Sequence, residues 1–532
     1  MVCQSARCKC ANAAHNAGHQ RELRDPLDAC ERLAEQRHRE ERGEQRLDLV
    51  ADLEEQRVEV RERDVQDVVL QREARRRHGD ARQLGEVRQR GEHAARAVGR
   101  ADHERAQPEL ERLLQHDHDR DVVLVRRAGR RLLLPAVPHH EHERRVLHEH
   151  QQQGKPLEAA TTEVFGMAAF CRYFTSLDLP IEVLEDSEGR KVEAHRNPLG
   201  VVGAIVPWNF PLMLMAFKLP PALIAGNTIV LKPAPTTPLS SLRFAELIQD
   251  IVPAGVVNFI TDANDLGAAL TAHPDIRKVS FTGSTATGAK VMAGAAGLLK
   301  RITLELGGND AGIVLKDVDP KEAAPKLFDS AFQNTGQVCI AMKRLYVHED
   351  IYDDMCSELA TIADETSIGN GLEQGTKLGP LNNKMQYERV KELIEEAKKD
   401  GNIIAGGDVP DEPGYFIRPT IVRDIKEGSR LVDEEQFGPV LPVMSFSDEQ
   451  DAVERANATN WGLGGSIWSA DLDKAYALAE QMDAGTVWIN KHLELDPTIP
   501  FGGSKQSGLG TELGEEGLEE FTQRKIINMA KA

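Results

Sequence analysis

The sequence predicts an α/β protein built on a parallel β-sheet, and the pattern begins at about residue 155. Short apolar runs rich in β-branched residues alternate with longer segments of helical spacing. The runs are apolar almost throughout, which is typical of strands buried on both faces of a parallel sheet. In chain order, the predicted strands are 200–206, 227–231, 256–261, 278–282 and 301–305, and the predicted helices are 212–225, 238–250, 266–273 and 284–296.

Further segments complete this α/β prediction. After Gly307-Gly308, a second α/β unit runs to about residue 485, with a helix at 385–399 and strands at 344–347 and 440–446. Segments 181–193 and 522–529 are predicted as isolated strands outside the main sheet. Open parallel sheets bind their ligands beyond the carboxyl ends of the strands. The loops that we expect to carry a site are therefore 207–211, 232–235, 283–288 and 305–309.

The first 150 residues differ in composition from the rest of the chain. They contain 30 basic and 30 acidic residues, so the whole net charge of −20 lies in the remaining residues. They lack Phe, Tyr, Trp, Ile and Thr and hold 13 of the 17 His. Few of their side chains could offset the entropy of ordering by burial. We expect either a charged, partly helical or disordered segment, or GC-rich DNA read in a wrong frame or strand.

The composition also argues against several classes of function. The acidic charge beyond residue 150 disfavours binding to nucleic acid and to anionic membranes. Residues 1–20 contain no apolar run, no stretch of 18 apolar residues occurs, and the seven Cys do not suggest a disulfide framework. We therefore expect a soluble, cytoplasmic protein with no nucleic-acid or membrane partner.

Two groups of residues in the N-terminal segment have side chains that bind metals. The first lacks the CxxC pairing typical of zinc sites, and the second, a His-rich run, lacks the HExxH spacing that places two ligands on one helical face. We expect no metal ion at either group, which are Cys3, Cys8, Cys10, His15 and His19, and residues 139–150.

Seven short motifs occur in the remaining chain, and each alone is weak. They are 207–211 (PWNFP), 232–233 (KP), 281–284 (FTGS), 304–308 (LELGG), 336–339 (GQVC), 435–439 (EQFGP) and 500–503 (PFGG). In this order they resemble the aldehyde dehydrogenase superfamily over residues 155–532. The resemblance implies an aldehyde dehydrogenase-like fold with a parallel-sheet cofactor domain at 155–306, which includes oligomerisation strands at 181–196. An α/β catalytic domain at 307–485 and a C-terminal return with a further oligomerisation strand at 486–532 complete it.

The resemblance assigns the catalytic residues. A lone Cys in an apolar stretch is more often an inert buried thiol, but Cys339 matches the family's nucleophile, whose thiolate attacks the aldehyde carbonyl. The side-chain amide of Asn209 and the backbone N–H of Cys339 would stabilise the oxyanion. Glu305 matches the general base that activates water, so the product would be the free carboxylic acid. Lys218 and Glu512 match positions that assist a proton relay.

The same resemblance implies NAD as the cofactor and leaves NADP open. Position 235 is Pro where strongly NAD-selective relatives often have Glu, so a 2′-phosphate would not be repelled there. Asp262 or Asp265, in the loop after strand 256–261, would disfavour the extra phosphate. Helix N-termini bind pyrophosphates, which suits Gly283 and Ser284. The expected cofactor contacts are Ile205, Val206, Pro207, Trp208, Lys232, Pro235, Gly267, Gly283, Ser284, Gly288, Glu435 and Phe437.

The expected partners are a small-molecule aldehyde and further copies of the chain, in a homodimer or homotetramer. The expected tunnel to the nucleophile is apolar and consists of Met213, Phe332, Val338, Ile340, Leu493 and Leu495. Two alternatives stay open. The chain could be an inactive aldehyde dehydrogenase-like binding protein, because the family's N-terminal helices have no counterpart before Gln152, which would leave one face of the cofactor sheet uncovered. A nucleic-acid-binding protein with an Arg-rich arm would need the net positive charge that residues 1–150 lack.

Overall fold

The computed structural model describes residues 124–127, 130–133, 148–411 and 413–531. The predictions made for residues 1–123 concern residues outside the described ones. The two groups of residues with metal-binding side chains also lie outside them, apart from residues 148–150. Two described segments precede the main fold: a hairpin of β1 (Leu124–Arg127) and β2 (Arg130–Leu133), and a short helix at 148–153.

The first sheet has six strands, in the order β19-β9-β8-β5-β6-β7. All neighbours are parallel except β19, which runs antiparallel to β9. Its strands are β5 Val201–Ile205, β6 Thr228–Lys232, β7 Val257–Phe259, β8 Ile276–Thr282, β9 Arg301–Glu305 and β19 Gly508–Leu509. The five parallel strands confirm the sequence prediction to within a few residues at each end.

Helices cover this sheet on both faces. They are α1 Leu157–Ser176, α2 Pro211–Ala216, α3 Leu219–Ile224, α4 Leu239–Ile248, α5 Leu266–Ala272 and α6 Thr285–Ala296. Helices α1 to α4 pack with Val202 and Ala204 of β5 in one apolar core. On the other face, a Cβ atom at Gly203 would lie 3.1 Å from Leu270 of α5. Every residue of β5 is buried, so the uncovered face on which the inactive alternative depends is not found at this strand.

The prediction of one helix over 212–225 is wrong. The chain forms α2 and α3 instead, with a break at Phe217-Lys218. Pro220 and Pro221 lack backbone N–H groups, and their rings would clash with the carbonyls four residues earlier in a continuous helix. The prolines therefore stand in the first turn of α3, where a missing N–H costs nothing.

The second sheet has seven strands, in the order β12-β13-β14-β11-β10-β16-β17, and only the β12–β13 pair is antiparallel. Two apolar cores lie on its two faces. The predicted helix 385–399 and strands 344–347 and 440–446 are confirmed as α9, β11 and β14. The strands are β10 Asp310–Val314, β11 Met342–His348, β12 Asn402–Ala405, β13 Thr420–Arg423, β14 Val440–Phe446, β16 Gly464–Trp468 and β17 Thr486–Ile489. The helices are α7 Pro320–Phe332, α8 Tyr352–Glu365, α9 Lys384–Asp400, α10 Arg430–Asp433, α11 Glu449–Asn457 and α12 Leu472–Ala479, with 3₁₀ turns at Gln333–Gly336 and Glu349–Ile351. The last helix, α13 Gly514–Glu519, places Leu518 in the apolar core of the first sheet.

A third, antiparallel sheet stands apart from the other two, as predicted, in the order β20-β4-β3. Its strands are β3 Glu182–Asp186, β4 Arg190–Pro198 and β20 Thr522–Ala530. The single strand predicted at 181–193 is wrong, because a turn after Asp186 reverses the chain and makes two strands of it. A small pair of β15 (Trp461–Gly462) and β18 (Ser504–Lys505) completes the strands. Within the described residues, no helix combines the length and apolar character needed to cross a membrane.

Candidate active site

Cys339 follows a turn of unusual backbone conformation at the end of α7. Asn334, Thr335 and Gly336 have φ angles of 51°, 57° and 71°, a left-handed conformation that L-residues with side chains adopt at a cost. A Cβ atom at position 336 would lie 2.2 Å from the carbonyl oxygen of Gly438. Gln337 supports the turn, since its Nε2 donates to the Asn334 carbonyl over 2.9 Å. The strained turn therefore fixes the point at which Cys339 enters the site.

Asn209 is joined to the same turn. Its side-chain Nδ2 donates to the carbonyl of Gln337 over 3.1 Å, and Asn334 Nδ2 donates to the Asn209 carbonyl over 3.2 Å. Both Asn side chains are buried. An amide nitrogen carries two N–H donors, so Asn209 retains one for a second acceptor near Cys339.

Glu305 is the last residue of β9 and is buried. Among the described residues, neither of its carboxylate oxygens has a hydrogen-bond partner. Burial, and after it the nearby Glu512 carboxylate, raise the pKa of Glu305 to about 8, although Cys339, Lys218 and Thr282 partly oppose the rise. Such a carboxyl group titrates where a general base for neutral conditions is most effective.

The Cys339 thiol faces Glu305. Its residue is partly exposed, yet desolvation by the surrounding protein raises the pKa of the thiol well above its usual value, and the Glu305 carboxylate raises it further. A thiolate at Cys339 and an ionised Glu305 therefore disfavour each other. When the thiol ionises, Glu305 is placed to take its proton.

Lys218 and Glu512 form a buried ion pair behind Glu305. Lys218 Nζ lies 2.6 Å from Glu512 Oε1 and donates to Thr282 Oγ1 over 2.8 Å. Thr282 is the direct neighbour of Glu305 in the β8–β9 register. The other oxygen of Glu512 has no partner among the described residues, so this group keeps an acceptor site free next to the base.

The N-terminus of α6 offers an anion site. Ser284 is its N-cap and accepts from the Thr287 N–H through Oγ over 3.3 Å. A Cβ atom at Gly288 would lie 2.4 Å from the Leu306 side chain, so only glycine lets the helix approach the sheet this closely. At Gly283 a Cβ atom would lie 2.6 Å from the Phe281 ring. The exposed first turn, with its positive dipole end, suits a pyrophosphate.

Lys232 ends β6 and forms an ion pair that the sequence did not predict. Its Nζ lies 2.8 Å from Asp262 Oδ1, while Asp262 Oδ2 accepts from the N–H of Leu266 at the start of α5. A Cβ atom at Gly267 would lie 3.8 Å from Lys232, so the start of α5 flanks the Lys232 side chain. The backbone N–H of Val206 donates to the Lys232 carbonyl over 3.0 Å. The ends of β5 and β6 thus lie together. Ile205 and Val206 are buried there, and Pro207 is partly exposed, as is Pro235 three residues after Lys232.

Glu435 lies against the glycine pair after Glu305. Its Oε1 accepts from the Gly308 N–H over 3.0 Å, and the surrounding protein raises the pKa of this partly exposed carboxylate to about 7. A Cβ atom at Gly307 would lie 2.5 Å from Glu435 Oε2, and one at Gly308 would lie 2.3 Å from the Cys339 carbonyl oxygen. The two glycines therefore let Glu435 and Cys339 approach from opposite segments.

Aromatic rings frame the same region. Trp208 and Phe437 meet edge to face with centroids 5.4 Å apart. The apolar residues expected to line a tunnel mostly gather beside Cys339 in one cluster, but Phe332 belongs to a different core and is buried there. The residues that share the cluster with Cys339 are Met213, Val338, Ile340, Leu493 and Leu495.

Sequence reasoning missed a buried charged group that supports the Asn209 segment. Glu163 Oε1 accepts from the N–H groups of Leu212 and Met213 over 2.9 and 3.1 Å and so caps the start of α2. Lys155 forms ion pairs with Glu163 and Glu149 and stands 4.0 Å from the centre of the Phe210 ring. The signal was present in Gly154-Lys155-Pro156, a lysine between two residues that rarely continue a helix.

The chain matches a known protein family and several known proteins over most of its length. The family model described as "Aldehyde dehydrogenase family" matches residues 130–527, so the match starts earlier than the motifs predicted and reaches into the first 150 residues. Phenylacetaldehyde dehydrogenase of Pseudomonas fluorescens is 44% identical over 361 residues, 67% of this chain and 72% of that protein. Chloroplastic betaine aldehyde dehydrogenase of Beta vulgaris is 38% identical over 430 residues, 78% of this chain and 86% of that protein.

Solved structures show the same relationship. The NAD⁺ complex of an aldehyde dehydrogenase from Bacillus cereus superposes with a TM-score of 0.72 at 38% identity, and the match covers 74% of this chain and 81% of that one. An NADP-dependent enzyme from E. coli superposes with a TM-score of 0.71 at 36% identity, covering 73% and 82%. This chain belongs to the aldehyde dehydrogenase family of oxidoreductases.

Proposed function

We propose that this protein oxidises an aldehyde to the free carboxylic acid, with Cys339 as nucleophile and NAD as cofactor. The observation that carries the proposal is the convergence of three segments on one point. The strained turn before Cys339, the loop that holds Asn209 and the end of β9 at Glu305 come from distant parts of the chain, and each supplies one group that aldehyde oxidation through a thioester requires.

In the first step, the Cys339 thiol gives its proton to Glu305 and its sulfur bonds to the aldehyde carbon. The carbonyl oxygen takes up the electron pair, and the Asn209 amide and the Cys339 backbone N–H stabilise the resulting oxyanion. The product of this step is a thiohemiacetal on Cys339.

When bound, the nicotinamide cofactor supplies the acceptor for the hydride that leaves the carbon on Cys339. Residues that fit this group are present: the α6 N-terminus at Ser284 for the pyrophosphate, Lys232 for the adenosine ribose and Glu435 for the nicotinamide ribose, with Phe437 beside the ring. Loss of hydride leaves a thioester on Cys339.

Hydrolysis of the thioester completes the cycle. Glu305 first releases the thiol proton and then takes a proton from water, the water oxygen bonds to the acyl carbon, and the carbon–sulfur bond breaks. The acid leaves, the sulfur electrons stay on Cys339, and the thiolate takes the proton back from Glu305, which restores the starting state. Lys218 and Glu512, joined to the base through Thr282, assist the movement of this proton.

NAD rather than NADP is favoured by the position of Asp262. Its carboxylate neutralises Lys232 over 2.8 Å and stands where a 2′-phosphate would need a free cation. Pro235 carries no charge that would repel the 2′-phosphate, so the discrimination between NAD and NADP would rest on Asp262. Parallel kcat/KM measurements with both cofactors test this preference.

The substrate class that fits the apolar residues beside Cys339 is an uncharged aliphatic or aromatic aldehyde. The similarity to a phenylacetaldehyde dehydrogenase supports the aromatic class. A panel of phenylacetaldehyde, propanal, betaine aldehyde and a carboxylate-bearing semialdehyde should give the highest kcat/KM with phenylacetaldehyde. A semialdehyde preferred over both uncharged substrates would contradict the assignment.

Assembly into a homodimer or homotetramer is supported by the third sheet. β3 and β20 expose apolar side chains, namely Val183, Leu184, Ile526, Ile527 and Met529, which a second copy could bury. Sedimentation velocity tests this. The expected cytoplasmic location stays a prediction that cell fractionation would check.

The decisive experiment compares Cys339→Ala with Cys356→Ala. Cys356 is a buried thiol in one of the apolar cores on the second sheet, so its replacement controls for the loss of a sulfur atom. Reduced cofactor should form with the wild type and with Cys356→Ala, and it should not form with Cys339→Ala. Turnover by Cys339→Ala at the wild-type rate would refute the proposal.

A further inference from the structure

Three charged residues form a buried cluster behind the segment that carries Asn209. Lys155 Nζ forms ion pairs with Glu149, at 3.3 Å, and with Glu163, and all three side chains are buried. Burying charged groups is unfavourable even when they pair, and apolar residues in their place often make a protein more stable. Packing alone therefore does not account for this buried charge cluster, which consists of Glu149, Lys155 and Glu163.

The buried charge cluster caps α2 in place of the residue at its N-cap position. That residue is Phe210, which has no side-chain acceptor and makes no capping bond. Glu163 Oε1 instead accepts from the N–H groups of Leu212 and Met213 over 2.9 and 3.1 Å, the two donors that an N-cap side chain normally satisfies. Lys155 Nζ stands 4.0 Å from the centre of the Phe210 ring. Both contacts thus act on the residues that directly follow the oxyanion donor.

The segment that carries the lysine of the cluster also reaches the turn before the nucleophile. The Gln152 carbonyl accepts from Asn382 Nδ2 over 3.0 Å, and the backbone N–H of Asn382 donates to Gln337 Oε1 over 2.9 Å. A Cβ atom at Gly379 would lie 2.1 Å from the carbonyl oxygen of Gly154, so the two backbones are in direct contact there. The segment is therefore joined to both supports of the oxyanion site, α2 and the strained turn.

We propose that Lys155 and Glu163 are positioning residues that hold the side-chain amide of Asn209 where the oxyanion of the thiohemiacetal forms. The inference rests on the proposed function. One N–H of Asn209 Nδ2 is committed to the Gln337 carbonyl over 3.1 Å, so the position of the other follows from the backbone that the cluster supports. Preorganised donors are effective because they do not have to move as the charge develops. A misplacement of about 1 Å can cost roughly 10²-fold in rate.

This positioning role differs from that of an ordinary helix cap. Neither Lys155 nor Glu163 touches a reacting atom in this scheme, so both act on the chemistry through Asn209. A cap that served stability alone would leave the reaction rate of the folded enzyme unchanged. The two roles therefore predict different results when each substitution is combined with Asn209→Ala.

A double-mutant cycle separates positioning from stability. Lys155→Met removes the positive charge and keeps most of the side-chain length, Glu163→Ala removes the acceptor that caps α2, and Glu163→Gln keeps an acceptor oxygen without the charge. Each substitution is made alone and together with Asn209→Ala. Stopped-flow kinetics, with enzyme in excess over phenylacetaldehyde and with saturating NAD, measure the single-turnover formation of reduced cofactor. Urea unfolding measures the stability of the same preparations.

Lys155→Met and Glu163→Ala should each slow the single turnover about tenfold, less than the 10²–10³-fold expected for loss of the donor itself. Glu163→Gln should slow it only about threefold, because the N–H groups of α2 keep their acceptor. In the Asn209→Ala background, each of the three should slow the reaction by less than about twofold, because residues that act as one unit are not additive. Glu163→Gln exchanges a single group and keeps the cycle informative if the other two variants fail to fold.

Two substitutions in α1 serve as matched controls. Phe174, near the far end of that helix, is fully buried, so Phe174→Leu should lower the stability and leave the single-turnover rate unchanged. Glu158 is an exposed carboxylate in its first turn, so Glu158→Ala should leave the rate unchanged as well.

Several results would overturn the positioning role. Equal slowing with and without Asn209→Ala would show that Lys155 and Glu163 do not act through Asn209. A Phe174→Leu variant that loses rate as the cluster variants do would show that any loss of stability slows the reaction. Unchanged rates in all three cluster variants would leave only a helix cap, while turnover by the wild type would still support the proposed function. If the wild type formed no reduced cofactor, the proposed function would be refuted and the positioning role with it.

Discussion

Replacing Glu305 with Gln should stabilise the protein at alkaline pH while removing its ability to release the acid. The carboxyl group is buried and has no hydrogen-bond partner among the described residues. Its pKa is raised by burial, and further by Glu512, from 4.5 to about 8. The folded state therefore binds this proton more tightly than the unfolded chain does, and Glu305 contributes a stabilisation that is fully present below pH 4.5 and is lost as the pH rises towards 8.

The size of the effect follows from the shift. Each pKa unit corresponds to about 1.4 kcal/mol, so the stabilisation lost above pH 8 has an upper limit of roughly 5 kcal/mol. Gln has nearly the same shape and carries no charge at any pH. The free energy of unfolding of Glu305→Gln should thus equal that of the wild type near pH 4. At pH 9 it should be higher by several kcal/mol, within the upper limit given above.

Urea unfolding at pH 4, 7 and 9 measures this difference, and acyl-enzyme decay on the same preparations measures function. Decay should fall by about 10²–10⁴-fold, the range for loss of a general base. Glu516→Gln, which removes an exposed carboxylate, is the control and should change the free energy of unfolding by no more than about 0.5 kcal/mol. A Glu305→Gln variant less stable than the wild type at pH 9 would refute the buried, proton-binding carboxyl. If the Glu305→Gln variant hydrolysed its acyl-enzyme at the wild-type rate, the role of Glu305 as general base would be refuted.

Three further substitutions test other parts of the site. Asn209→Ala should lower kcat/KM by about 10²–10³-fold, the range for loss of one oxyanion donor; an initial-rate assay at saturating cofactor checks this, and an unchanged rate would refute the assignment. Asp262→Ala should free Lys232 from its ion pair and raise the ratio of kcat/KM with NADP to kcat/KM with NAD about tenfold. Removing one negative charge that repels a phosphate near the surface is worth on the order of 1 kcal/mol. An unchanged ratio would argue against a phosphate-excluding role for Asp262. Ile526→Glu should shift sedimentation velocity towards a smaller species, and an unchanged profile would mean that β20 lies outside the subunit interface.

The sequence predicted the first sheet well, because strands buried on both faces leave a clear signal. β5 carries an unbroken apolar run between turn residues, and the structure places it at the centre of the sheet beside β8. The break between α2 and α3 was harder to locate. Pro220 indicates that a continuous helix is interrupted, but it does not locate the break. The packing of α2 and of α3 decides that the chain bends at Lys218 and not at the proline.

Contacts between distant segments were beyond sequence reasoning. Asp262 was expected to act on a phosphate directly, whereas the structure shows it paired with Lys232, a residue thirty positions away. Glu163 caps α2 from forty-nine positions away. Neither spacing carries a periodic or local signal, since each depends on how two elements pack against the same sheet.

The paired protonation of Cys339 and Glu305 is the clearest consequence of that packing. Desolvation disfavours the charged form of each group, and each charge also disfavours the other. The pair therefore carries one negative charge at most, and an ionised Glu305 takes up the thiol proton as the sulfur electrons move to the substrate carbon. In the absence of substrate, such a site protects the Cys339 thiol from oxidation, since the thiolate is the form that reacts with oxidants. In the proposed cycle, the proton that Glu305 takes from water at hydrolysis returns to the Cys339 thiolate, which restores the protonated thiol with which the cycle begins.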